Sequence, residues 1–257
     1  MAWHRAREAG GKIILRNEDL DPQRSKPEFV QAFMEDLLWL DLDWDEGPDI
    51  GGPYAPYHQS ERTSLYREAL QRLIDSGLAY PCYCSRKEVQ LAARAPHLED
   101  EEAIYAGTCR PPRADSKGSE SETRQPSWRF RVPDGETIRF TDGHFGPQEY
   151  VAGRDFGDFV IWRPDDVPAY QLAVVVDDAL MGITEVVRGA DLLVSSARQM
   201  LLYRALGWKA PAFYHCPLMT DERGVRLAKR NDALSLRALR EQGRVAQDIL
   251  TEWWSQA

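Results

Sequence analysis

No apolar run in the 257-residue chain approaches the roughly 18 residues that a membrane-spanning helix needs, and no leader of the secretory type opens it. A cytoplasmic protein with no membrane partner is the expectation. Positive charge is scarce as well: 32 Lys and Arg against 41 Asp and Glu leave a formal net charge of −9. That balance excludes a chain that coats nucleic acid without specificity. It leaves open a nucleic-acid partner met through a local basic surface, because the charge of the patch decides at the contact. Cysteine is sparse too, four residues in all, yet Cys82, Cys84 and Cys109 cluster. In a reducing compartment such clustering favours a metal over disulfides. No internal repeat is visible.

What is present describes a folded core: 43% apolar residues, 10% aromatic residues and eight Trp. The chain is long enough for one α/β body, alone or with an insertion. The opening "AWHRAREAGG" reads as the end of a helix closed at Gly10 and Gly11. Neither cap nor strand precedes it, so a missing N-terminal piece is expected. "KIILRNEDLD" reads as a buried parallel strand whose C-terminal end carries functional side chains. Pro27 opens a helix with Phe29, Val30, Phe33, Met34, Leu37 and Leu38 on one face. A Gly- and Pro-rich loop leads to "ERTSLYREALQRLIDSG", an amphipathic helix closed at Gly77.

From Cys82 to about Arg154 the pattern changes to strands such as "WRFRV" and "IRFTD" around a polar run, which reads as an insertion. The core resumes at "DFVIWR". "AYQLAVVVDDALMGITEVVRG" reads as two apolar strands, with Tyr170 before the first and Arg188 ending the second. A helix "DLLVSSARQMLLYRALG", a strand "FYHCPLM", a basic loop and two short helices complete the chain.

Four groups of residues have chemistry to offer. In the loop "RLAKRNDALSL", Lys229 is a mobile point charge able to follow phosphate oxygens; the alternative is a solvated turn before a Ser235-capped helix. In "RNEDLDPQRS", Glu18 can receive a substrate ammonium and Arg24 an acidic ligand, against ordinary capping by Asp21 and Ser25. Tyr170 and Arg188 can grip a carboxylate together, or serve separately as amphipathic surface residues. Cys82, Cys84 and Cys109 supply three soft ligands where zinc wants four. On chemistry alone His97 is preferred over Tyr105 as the fourth, and three reduced, buried thiols are the alternative.

In this order, "GGKIILRNEDLDPQRS", "LDWDEGP", "YHQSER", "DFVIWR", "AYQLAVVVDDALMGITEVVRGADLL" and "RLAKR" resemble the class I glutamyl-tRNA synthetase catalytic domain. They resemble most closely its shortened branch, which glutamylates queuosine in tRNA(Asp) and lacks an anticodon-binding domain. The resemblance implies a Rossmann-like, doubly wound parallel α/β sheet with a zinc-containing, strand-rich insertion and a short helical C-terminus. It implies residues 1–81 as the first half of the catalytic domain, 82–154 as the insertion, 155–218 as the second half, and 219–257 as signature loop and C-terminal helices.

"RLAKR" corresponds to the KMSKS signature in weakened form, with Arg226 and Ala228 replacing the first Lys and first Ser, Leu227 and Arg230 in the loop, and Lys229 retained as the ATP-contacting lysine. Glu18, Tyr170 and Arg188 fall on glutamate-binding positions. The branch's C-x-C…Y-x-x-x-C pattern transfers onto Cys82, Cys84, Tyr105 and Cys109, setting Tyr105 above His97. The family's opening strand and "PSPTG-x-LH-x-G" segment has no counterpart here. The implied activity is ATP- and Mg²⁺-dependent formation of glutamyl-adenylate from L-glutamate, then transfer to queuosine of tRNA(Asp), by a zinc-bearing monomer. The rival expectations are a fragment of an ordinary synthetase charging tRNA(Glu), and a non-catalytic zinc-stabilised protein that binds glutamate or RNA.

Overall fold

A computed structural model of the chain describes residues 1–21, 25–92, 104–111, 125–218 and 236–254. Two compact units emerge: residues 1–61, 187–191 and 215–257, and residues 62–186 and 192–214.

The first unit opens with helix α1 (Ala2–Glu8), stopped by Gly10 at φ +64°. The left-handed conformation there costs glycine nothing and ends the helix. "KIILRNEDLD" is not a strand. It is an extended segment making two single parallel bridges, Ile14 with Glu46 and Asn17 with His58. Its backbone donates from Leu15 N to Glu46 O at 2.8 Å and from Asn17 N to Tyr57 O at 2.8 Å. Between those two contacts the paired stretch runs through Gly47, Pro48, Gly51, Gly52 and Pro53, which cannot sustain a ladder. Helix α2 (Pro27–Trp39) carries Pro at its start as expected, but its cap is Lys26 and not Ser25. Its Phe29, Phe33 and Leu38 are exposed. Leu40 and Tyr57 are buried, and the Tyr57 hydroxyl donates to Glu46 at 2.7 Å. The short C-terminal helices α7 (Leu236–Glu241) and α8 (Ala246–Trp254) also belong here, and Arg240 lies over the Trp39 ring.

The second unit holds most of the core. A 3₁₀ turn, Gln59–Arg62, leads into helix α3 (Thr63–Asp75), which buries Tyr66, Ala69, Leu70 and Leu73 at helical spacing. After Gly77, strand β1 (Ala79–Cys82) pairs antiparallel with β2 (Ser127–Phe130), and β2 with β5 (Phe159–Trp162). Helix α4 (Arg86–Ala92) follows β1. A second sheet has the order β4, β3, β7, β6, formed by β3 (Thr137–Asp142), β4 (Gly146–Val151), β6 (Glu185–Gly189) and β7 (Ala212–Cys216), of which residues 187–189 and 215–216 are counted with the first unit. β3 and β4 are antiparallel, β3 and β7 parallel.

The sequence pattern misleads most over "AYQLAVVVDDAL". The expected first strand is helix α5 (Tyr170–Leu180), with every residue from Leu172 to Asp178 buried. A helix covered on all sides shows no 3.6-residue alternation, and three successive Val favour a strand by local propensity. Packing decides otherwise: α5 lies against α3, β5 and helix α6 (Leu193–Ala205). Only the second expected strand forms, as β6.

Candidate functional site

The thiols converge within the second unit. Cys82 ends β1 and is fully buried, with its carbonyl accepting from Ser127 Oγ at 3.0 Å. Cys84 precedes a capping box: Ser85 N donates to Glu88 Oε2 at 2.6 Å and Glu88 N to Ser85 Oγ at 3.2 Å, which starts α4. Cys109 and Tyr105 come from the segment 104–111, which turns at Gly107 with φ +78°. The three sulfurs lie within 4.8 Å of one another, and Cys84 Sγ and Cys109 Sγ are 3.5 Å apart. The Tyr105 hydroxyl stands 3.4 Å from Cys82 Sγ and 3.7 Å from Cys84 Sγ, and accepts from Cys109 N at 2.7 Å.

These spacings can be tested against a metal. Zn–S bonds of about 2.3 Å and Zn–O bonds of about 2.0 Å at tetrahedral angles place sulfurs about 3.8 Å apart, and a sulfur about 3.5 Å from the oxygen. The Cys84–Cys109 separation and both distances to the Tyr105 hydroxyl fall beside those values, all three sulfurs lie within 4.8 Å, and a thiolate-rich donor set suits zinc. The four side chains fit such an ion. All four cysteines of the chain are free thiols.

In the metal-free protein, burial foremost pushes the Cys84 thiol up to about 11 and raises the Tyr105 phenol. Burial also acts to raise Cys109, but the Tyr83 backbone and neighbouring side-chain hydrogen bonds outweigh it and bring Cys109 below its ordinary value. Metal ligation needs the thiolate form, so binding of a divalent ion at these thiols releases protons.

The glutamate-binding candidates are divided between the units. Glu18 lies in the first, on the extended segment, half-exposed and 3.1 Å from Arg16. Arg188, on β6, belongs to the first unit as well, where its Nε donates to His215 Nε2 at 3.2 Å. Tyr170 belongs to the second unit and is the first residue of α5, 40% exposed. Next to it, Gln171 donates to Ser195 Oγ at 3.0 Å and accepts from Gln199 at 2.9 Å. The loop Arg226, Leu227, Ala228, Lys229, Arg230 lies outside the described residues, as do Arg24 and His97.

Three features escaped the sequence reading. His215 is fully buried beneath Arg188. Arg129 reaches the thiols from β2, donating Nε to Cys82 Sγ at 3.2 Å. The stretch "RNED" is tied to "YHQS": Asn17 Nδ2 is 2.9 Å from His58 Nδ1, and Ser60 donates to Asp19 from both N and Oγ. The only available signal was that both stretches are rich in hydrogen-bonding residues, which does not say that they meet.

Residues 1–252 match the family profile described as tRNA synthetases class I (E and Q), catalytic domain. The chain belongs to that family of aminoacyl-tRNA synthetases. Within it, the chain is 52% identical over 250 residues to a glutamyl-Q tRNA(Asp) synthetase of Nitratidesulfovibrio vulgaris, covering 97% of this chain and 77% of the relative. It is equally similar, 52% over 252 residues, to the protein of that name from Symbiobacterium thermophilum, with the same coverage of both. A glutamate–tRNA ligase of the latter organism is 46% identical over 249 residues, covering 96% of this chain and 52% of the ligase. Among solved structures, a glutamate–tRNA synthetase from Elizabethkingia anophelis superposes with a TM-score of 0.74 at 31% identity, covering 94% of this chain and 49% of that one. The chain thus spans about half the length of that solved synthetase. The mixed α/β fold is that of a class I synthetase.

Proposed function

We propose that the protein activates L-glutamate with ATP and Mg²⁺ as glutamyl-adenylate and transfers the glutamyl group to queuosine in tRNA(Asp). The observation that carries this reading is 52% identity, over 97% of the chain, to relatives bearing the glutamyl-Q tRNA(Asp) synthetase name. The substrate carboxylate attacks the α-phosphate and pyrophosphate leaves. No protein nucleophile is needed, so catalysis rests on positioning and on neutralising phosphate charge.

In this reading Lys229 follows the phosphates, assisted by Arg226, Leu227, Ala228 and Arg230 of its loop. Glu18 accepts from the substrate α-ammonium, and Arg188 with Tyr170 receives a carboxylate. His215, fixed against Arg188 Nε, orients that guanidinium. Cys82, Cys84, Tyr105 and Cys109 hold zinc, which would cross-link the end of β1 to the segment 104–111. Residues 1–81 and 155–218 act as the catalytic halves, 82–154 as the zinc-bearing insertion and 219–257 as the phosphate loop with its helices, in a cytoplasmic monomer.

The test is glutamate-dependent exchange of label between pyrophosphate and ATP. Transfer of labelled glutamate to queuosine-bearing tRNA(Asp), to the same tRNA without queuosine and to tRNA(Glu) then separates the reactions. Transfer only to the first tRNA is expected. Charging of tRNA(Glu) overturns the acceptor assignment, and background exchange overturns the activity.

A further inference from the structure

Arg129 is buried, 8% exposed, in the middle of β2. A buried cation is costly unless an anion faces it. Among the described residues, no carboxylate oxygen pairs with it. The carboxylate close by, Asp158, is engaged elsewhere: it accepts from the Tyr80 hydroxyl at 2.6 Å and from Val132 N at 2.8 Å, and it is ion-paired with Arg110, whose Nε lies 3.1 Å away. Arg129 takes only the Asp158 carbonyl, from Nη1 at 2.9 Å. What remains in front of the cation is the metal-ligand set. Its Nε donates to Cys82 Sγ at 3.2 Å, and its Cζ lies over the Tyr105 ring, 4.0 Å from the ring centre.

Three thiolates around a divalent ion carry one negative charge in excess, before Tyr105 is counted. We infer that Arg129 is the positioning residue that supplies the compensating charge of this centre, holding Cys82 as a metal-bound thiolate and Tyr105 in ligating orientation. A donor to a ligand sulfur fixes where its lone pairs point, and a guanidinium over the ring locks the phenol. Arginine fits this position better than lysine because its planar fork can hold the sulfur, the Asp158 carbonyl and the ring face at once. The inference rests on the zinc reading above, so its test must tell the two failures apart.

The probes are zinc and cobalt(II) alone, added to chelator-stripped wild-type protein and to the Arg129→Met and Arg129→Lys variants. Zinc affinity is read by competition with a chromophoric chelator, and the ligand field by the thiolate-to-cobalt charge-transfer band. Wild type is expected to take one zinc per chain; if it takes none, the metal reading itself is wrong. Arg129→Met is expected to bind zinc about 10- to 100-fold more weakly, the usual cost of losing a partner of a metal ligand, and to shift the cobalt band. Arg129→Lys restores the charge but not the fork, so it recovers part of the affinity and still shifts the band. Zinc affinity within twofold of wild type together with an unmoved band, in either variant, overturns the inference. So does a variant that melts earlier without metal yet keeps the wild-type band, since that is the signature of a purely structural arginine. Should Arg129→Met fail to fold, the band of Arg129→Lys decides alone.

Discussion

The residues with the plainest chemistry give the sharpest expectations. Lys229→Ala should lower glutamate-dependent pyrophosphate exchange about 100- to 1000-fold with little change in the KM for glutamate, because its charge matters most as the phosphates reorganise. Arg188→Ala should act on KM, raising it about 10- to 100-fold, since a hydrogen bond to a charged group is worth roughly 1.5–3 kcal/mol. Steady-state kinetics on the two variants separates the roles, and equal effects on kcat and KM in both would contradict the assignment. The cysteines and Glu18 could be picked out from the sequence because their spacing and charge are local. Arg129 could not, since alternation in "WRFRV" puts an arginine on what reads as a solvated face. That face is covered by the segment 104–111, whose Tyr105 lies against it. His215 was hidden for a similar reason: a lone histidine in an apolar strand carries no sign of its partner, 27 positions away.

Among the elements, α5 shows how a buried polar group pins a helix. Asp177, wholly buried, accepts from Arg62 Nε at 2.6 Å and from the Tyr66 hydroxyl at 2.8 Å, joining α5 to the start of α3. Removing one partner of a buried ion pair strands the other in a low-dielectric interior. Asp177→Ala should therefore destabilise the protein by about 3–5 kcal/mol, read as a lower urea midpoint, while Arg62→Met with Asp177→Leu should recover much of the loss. The loop that joins the two extended contacts of the first unit is as intolerant. A Cβ on Gly52, which has φ +148°, would meet the Tyr57 hydroxyl at 2.2 Å and Glu46 at 3.0 Å. Gly52→Ala should break the buried Tyr57–Glu46 bond and cost about 1–3 kcal/mol by the same denaturation. Most elements were predictable from pattern, including α2, α3, β2, β3, β5 and α6. The exceptions, α5 and the segment around Ile14, are those where burial on all sides or an interrupted partner overrides the local signal.

For the whole molecule, charge fixes the response to pH. Asp155, Asp166 and Glu136 sit below the usual carboxylate range, chiefly through hydrogen bonds from Arg154, Arg67 and Arg204. Their contribution is complete above the unfolded values of 3.8 for Asp and 4.5 for Glu, and is lost as pH falls through the lower folded values. Tyr80 and Tyr150 are raised, foremost by burial. Their contribution is complete below the unfolded value of 10.0 and is lost as pH rises through the higher folded ones. Urea midpoints should thus be flat between about pH 5 and 9 and fall on both sides. Added salt should reduce the loss on the acid side, because those ion pairs are largely exposed and salt screens them.

The sequence by itself determined the family, the candidate residues for binding metal, phosphate and glutamate, and most of the described helices and strands. Each is written in local spacing or in the order of motifs along the chain. Only the tertiary structure decided that "AYQLAVVVDDAL" is a helix, that Arg129 faces Cys82, and that His215 lies beneath Arg188. Periodicity records that a face is buried but not what buries it, and a charge is inert or functional according to the group that folding brings opposite it.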